Sequence, residues 1–215
     1  MSEYLRARGS HHADPCSVAE QGTRHTGRVS APPNLPGIVS KALLMSLQRG
    51  YVQVTRSETG RLLAALASTR TGTIAECGTG CGVGAAWLRT GAPAQTKVIT
   101  AELDGDLAHS VMEMFADEDI VVMHADWTSL REHAPFSLLF LDAGSAKSAP
   151  REGVIDLVGG GGMVVLDDFI PCTTWPPMEG GRVDMVRQDW LDDKRFTSVE
   201  VMTASDTSVV IAVKT

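Results

Sequence analysis

Apolar residues follow two different rhythms along this chain. Between residues 38 and 48 they recur at helical spacing, as Ile38, Ala42, Leu43, Met45 and Leu47, which predicts a helix entered through Pro32, Pro33 and Pro36. A second helix is predicted from Ser57 to Leu66, where Leu62, Leu63 and Leu66 share a face, and Thr55 and Glu58 are spaced as a capping box at its start. From residue 73 the rhythm changes. Short apolar runs at Thr73–Cys77, Val98–Ala101, Ile120–Met123, Phe136–Leu141 and Met163–Leu166 alternate with helix-like segments near 83–90, 104–116 and 148–158. Such runs suit strands buried on both faces, and their alternation with helices predicts βαβ units and a parallel sheet. Phe196–Met202 and Ser208–Val213 flank the turn 203–207 as a hairpin, which brings in an antiparallel strand. The expected class is α/β, with seven strands, mostly parallel. Residues 1–30 lack apolar periodicity and are expected to be a flexible tail, including the pair His11-His12. Residues 31–215 are expected to form one domain, with a helical cap over 31–72 and the sheet core over 73–215.

Composition narrows the partners more than the fold. Hydrophobic residues make up 43% and charged residues 21% of the chain, which argues against wholesale disorder. The formal net charge is −7 and Lys and Arg form no dense block, so no nucleic-acid partner is expected. No apolar run has the length of a membrane span and the N-terminus lacks a signal-like apolar core, so a cytoplasmic protein is expected, compatible with a homodimer. Cys16, Cys77, Cys81 and Cys172 match neither a zinc pattern nor a disulfide framework, and read as small buried thiols.

The candidate chemistry starts at "IAECGTGCGVG", residues 74–84, which carries four glycines directly after the first predicted strand. In an open α/β sheet, ligands bind beyond the carboxyl ends of the strands, where glycine lets a ligand approach the backbone. A dinucleotide, a phosphate or S-adenosylmethionine would each suit such a turn. Glu102, at the end of the second predicted strand, lies 26 residues after Glu76, near the usual offset of about 20 for an acid that meets a ribose. Two features disfavour NAD. Position 83 is valine where the G-x-G-x-x-G pattern needs glycine, and Glu76 would face a pyrophosphate unfavourably while suiting a cationic methionine end.

On Glu76, Gly78, Gly80, Gly82, Glu102 and the terminal hairpin, residues 36–215 resemble class I S-adenosylmethionine-dependent methyltransferases. The resemblance implies a Rossmann-like, doubly wound sheet. It implies that Glu76, Gly78, Thr79, Gly80 and Gly82 face the methionine part, that Glu102 meets the ribose, and that Asp126 and Trp127 reach the adenine. Without it, Asp126 reads as a helix cap and Trp127 as a packed aromatic.

Asp142 ends the fourth predicted strand, and Asp167 and Asp168 end the fifth. Three carboxylates at adjacent strand ends repel and raise one another's pKa unless a cation intervenes, and a hard divalent ion such as Mg²⁺ is the natural remedy. Here the likeness narrows to the catechol and caffeoyl-CoA type of O-methyltransferase. It implies that Asp142, Asp167 and Asp168 bind the metal, although Asp168 stands where that family has Asn. It also implies a catalytic lysine at position 145. This chain has Ser145 there and Lys147 two residues later, which reads either as a general base or as a surface lysine. His109, His124 and His133 are weaker candidates. The Pro-rich stretch Ile170–Met178, with Trp175, and the segment Arg49-Gly50-Tyr51 are expected to wall a pocket for a planar acceptor. The expected reaction is methyl transfer to a hydroxyl of a small, perhaps aromatic or vicinal-diol, acceptor. The alternatives are a metal-independent methyltransferase of the same fold and a nucleotide-binding module without transfer.

Overall fold

The computed structural model describes residues 34–215. The predicted tail, the two histidines at 11 and 12, Cys16, Pro32 and Pro33 lie outside the described residues. Helices α1 (Gly37–Arg49) and α2 (Ser57–Ala67) precede the sheet. Strands β1 (Thr73–Cys77), β2 (Lys97–Glu102), β3 (Ile120–His124), β4 (Phe136–Leu141) and β5 (Val158–Phe169) follow. They are separated by α3 (Val83–Gly91), α4 (Gly105–Met114), a 3-10 turn (Trp127–His133), and the short helices α5 (Gly144–Lys147) and α6 (Arg151–Ile155). A small ribbon, β6 (Met178–Glu179) and β7 (Arg182–Val183), then leads through α7 (Met185–Asp192) to β8 (Phe196–Ala204) and β9 (Thr207–Lys214).

The seven-stranded sheet has the order β3-β2-β1-β4-β5-β9-β8, with β1 to β5 parallel and β9 antiparallel to both its neighbours. It is the Rossmann-like methyltransferase sheet that the resemblance implies, and the order reverses between β1 and β4, which places a crevice at the end of β1. Successive strand residues serve opposite faces. Ile74, Leu138 and Phe140 pack with Leu63, Trp87 and Phe115 on one side. Ala75, Leu139 and Leu141 pack with Leu130, Val164 and Trp190 on the other. This two-sided burial explains why the strands read as continuous apolar runs.

Three local features differ from expectation. The Thr55 and Glu58 capping box does not form: α2 starts after Arg56 without a side-chain cap, because the Thr55 hydroxyl is drawn to Asp142 instead. The helix expected over 148–158 is cut to one short turn, and β5 begins at Val158, where glycines 159–162, with Gly161 at φ 71°, enter the strand with a register shift against β4. Helix α7 and the β6–β7 ribbon lie almost wholly between the predicted Pro-rich loop and the predicted hairpin, where the sequence pattern predicts no element.

Candidate active site

β1 leads directly into the glycine turn. Gly78, Gly80 and Gly82 take left-handed φ values of 93°, 50° and 83°, which disfavour any residue with a Cβ. At Gly78 contact adds to conformation, because a Cβ there would lie 2.9 Å from the backbone nitrogen of Ala143, just beyond β4. The turn is closed by Gly82 N–H donating to the Thr79 carbonyl at 2.8 Å.

Glu76 lies beneath this turn, not in front of it. It is wholly buried and accepts a 2.6 Å hydrogen bond from the Thr100 hydroxyl, which lies 2.6 Å from the Thr79 hydroxyl. Parallel pairing sets Glu76 opposite Thr100, and α3 passes so close that a Cβ at Gly84 would sit 2.0 Å from the carboxyl. Burial pushes the Glu76 pKa well above the ordinary carboxylate range, against the opposing hydrogen bonds from Thr100 and the Ala85 amide. The expectation that Glu76 meets the ligand is therefore corrected. A sealed carboxyl bonded to Thr100 braces the loop from beneath and does not line the cleft.

Glu102 does face the opening. One carboxylate oxygen accepts from Gly80 N–H at 2.8 Å and the other from Asp104 N–H at 2.9 Å. Gly78, Thr79, Gly80, Glu102, Asp142 and Lys147 line one cleft of about 650 Å³. Its opposite wall is the strap Tyr51–Arg56 between α1 and α2, with the Tyr51 ring against Gly80. Burial and the nearby Glu102 raise the Tyr51 pKa.

The three aspartates meet three separate partners. Asp142 follows β4, where its own N–H and that of Ala143 both donate to the Cys77 carbonyl, and its side chain accepts from the Thr55 hydroxyl at 3.4 Å. Asp167 is buried and accepts from the Thr59 hydroxyl at 3.3 Å. Asp168 is exposed, adopts φ 67° in the bulged end of β5, and accepts from Lys147 Nζ at 3.1 Å. Successive residues of a strand point to opposite faces, so the adjacent pair Asp167-Asp168 is split between core and cleft. Among the described residues, no three His, Cys, Asp or Glu side chains gather as a metal-holding group. The expected ligand set of Asp142, Asp167 and Asp168 does not fit a shared divalent cation. Burial brings the Asp142 pKa to about 7, with Lys147 opposing the rise and Asp167 and Asp168 adding to it. The Asp167 pKa also rises, chiefly through burial.

Other candidates lie off the cleft lining. Asp126 caps the 3-10 turn, accepting from Thr128 N–H at 3.0 Å and Thr128 Oγ1 at 2.6 Å, bonds that lower its pKa. Trp127 packs partly against the second core cluster. Both follow β3, whose last residue His124 pairs with Glu102. His109 and His124 stack edge to face at 5.6 Å, and neither they nor His133 line the cleft. Trp175 is exposed and its loop contributes nothing to the cleft walls, since Cys172 bonds locally to Thr174 and Met178. Of Arg49-Gly50-Tyr51, only Tyr51 joins the cleft. Arg49 is bonded to Ser110. Sequence reasoning missed the rest of the strap, the hydroxyls of Thr55 and Thr59, and Thr100. The last had one signal, its place two residues before Glu102 on the same strand.

The sheet order, the glycine turn after β1 and the acid ending β2 together are those of the class I methyltransferase fold. Several solved structures share it. The O-methyltransferase from Bacillus cereus in complex with SAH is 18% identical with a TM-score of 0.65, over 85% of this chain and 93% of that one. TomG of Streptomyces achromogenes, an O-methyltransferase involved in tomaymycin synthesis and solved with SAM, is 20% identical with a TM-score of 0.65, over 93% and 96%. The SAH-bound methyltransferase PaMTH1 of Podospora anserina is 15% identical with a TM-score of 0.67, over the full length of both chains. At these identities the shared property is the fold. Neither a protein-family model nor a curated protein sequence matches the chain. Among the described residues no helix is long and apolar enough to cross a membrane.

Proposed function

We propose that this protein is an S-adenosylmethionine-dependent methyltransferase that methylates a hydroxyl of a small acceptor. One observation carries the reading: the glycine turn, Glu102 and Asp142 line the same cleft. The residues fit the cosubstrate, since left-handed glycines leave the backbone bare and Glu102 presents a carboxylate where ribose hydroxyls would donate. Gly78, Thr79, Gly80 and Gly82 would hold the methionine part, and Asp126 and Trp127, beyond Glu102, would meet the adenine. The SAM- and SAH-bound neighbours support the same reading.

S-adenosylmethionine, when bound, supplies a sulfonium methyl whose carbon–sulfur bond breaks with its electron pair going to sulfur as the new carbon–oxygen bond forms. The chain's residues handle the acceptor. Asp142, with a pKa near 7, is placed to take the hydroxyl proton at neutral pH. Tyr51 and the strap would contact the acceptor from the wall opposite the glycine turn. The rim does not fit a divalent cation, and the transfer proposed here uses none.

Titration calorimetry with S-adenosylhomocysteine and NAD tests the cosubstrate. Tight NAD binding without S-adenosylhomocysteine binding would falsify the reading. With an acceptor in hand, turnover is expected to rise with pH through about 7 as Asp142 loses its proton. Asp142→Asn is expected to lower kcat by about 10²–10⁴ with little change in S-adenosylhomocysteine affinity.

A further inference from the structure

Three carboxylates at one rim call for a positive charge, and the chain itself carries one there. Lys147 ends α5, the single turn that follows Asp142, and Ala146 beside it is buried and anchors the turn. The Lys147 side chain is only 16% exposed, unusual for a lysine, and its Nζ lies 3.1 Å from Asp168 Oδ2. Both residues line the cleft with Asp142. The Lys147 charge acts on Asp142 and Asp167 as well as on its direct partner. An ammonium has three donors, and Asp168 takes one.

We propose that Lys147, oriented by Asp168, is the fixed cation of the acceptor rim, replacing a divalent metal and donating to the acceptor oxygen. The inference rests on the methyltransferase reading and deepens it. Asp168 explains itself on this view. A carboxylate at that position pins a lysine, and the lysine offsets the negative charge of Asp142 and Asp167. In the transfer, the acceptor oxygen holds a hydrogen bond from the ammonium while its own proton leaves to Asp142. Lys147 is the donor to that oxygen and Asp142 the base.

The test is calorimetric titration of MnCl₂ into protein saturated with S-adenosylhomocysteine, with turnover in EDTA measured in parallel. Wild type is expected to show no saturable Mn²⁺ site and full turnover in EDTA. Lys147→Met is expected to lose at least about tenfold in turnover and, because Asp167 still points into the core, to gain no Mn²⁺ site and no rescue by Mn²⁺. Lys147→Arg, which keeps the charge, is expected to remain indifferent to Mn²⁺ and covers the case of a Met variant that fails to fold. A wild-type Mn²⁺ requirement, or unchanged turnover in folded Lys147→Met, overturns the proposal. S-adenosylhomocysteine binding separates the two levels. If wild type does not bind it, the methyltransferase reading fails. If it binds and the Mn²⁺ or turnover results are contrary, only the role of Lys147 fails.

Discussion

On the β1–β2 side of the cleft, the groups that face a ligand are backbone amides and one carboxylate, all supplied by the continuous stretch Glu76–Glu102. On the β4–β5 side they are side chains, Asp142 and Asp168 with Lys147, and Asp142 and the buried Asp167 beside it are held from a distant part of the chain, by Thr55 and Thr59. The first side is a local conformation. The second is a set of tertiary pairings. A local conformation is fixed by which residues can adopt it, whereas a set of pairings is fixed by what the fold brings alongside.

Mutation of the first side should be the more drastic. Gly78→Val forces a branched side chain into φ 93° and against Ala143, and S-adenosylhomocysteine binding by calorimetry is expected to vanish. Glu102→Ala leaves the turn in place but removes the acceptor for ribose hydroxyls and for Gly80 N–H. A loss of affinity of at least about tenfold is expected, in line with hydrogen bonds to a charged group. An unchanged affinity would move the ribose elsewhere and break the comparison. Glu76→Gln probes the brace beneath the loop. The folded pKa of Glu76 lies above its unfolded value of 4.5, so the stability it confers is complete below that pH and is lost as pH rises through the folded pKa. The glutamine does not titrate, so wild type should melt progressively lower relative to the variant between pH 5 and pH 8, by about 2–4 °C per kcal/mol. A gap that is constant with pH would mean that the brace is ionised in both states. The smallest effect is expected for Arg56→Ala on the second side. Its ion pair with Asp206 at 2.7 Å is exposed at both ends, and the denaturation midpoint is expected to shift less than in any of the other variants.

The same contrast governs how much was legible in the sequence. All seven strands of the main sheet, the hairpin and four of the helices follow from periodicity, because burial on two faces leaves a strong apolar signal. The glycine turn and Glu102 were legible because their positions depend on neighbours along one chain segment. Glu76 was misplaced, since the parallel register that sets Thr100 against it is not written in either residue. The aspartate rim was legible as a gathering of charge but not as an arrangement. Strand alternation splits Asp167 from Asp168, and the hydroxyls that meet Asp142 and Asp167 come from a segment read as a helix start. The Trp175 loop was read as a wall from composition alone, and nothing in composition states which way a loop folds.

The strap and α2 reach the rim and the hairpin through contacts separated by 87, 108, 144 and 150 positions along the chain, from Thr55 to Asp142, Thr59 to Asp167, Thr59 to Thr203 and Arg56 to Asp206. Loop-closure entropy makes contacts of this separation late events in folding. During synthesis the glycine turn has all its own residues well before the hairpin emerges, whereas the acceptor rim waits for the last strands. One wall of the cleft is thus completed early by the chain that follows it, and the other only when the strap and α2 meet β4, β5 and the hairpin.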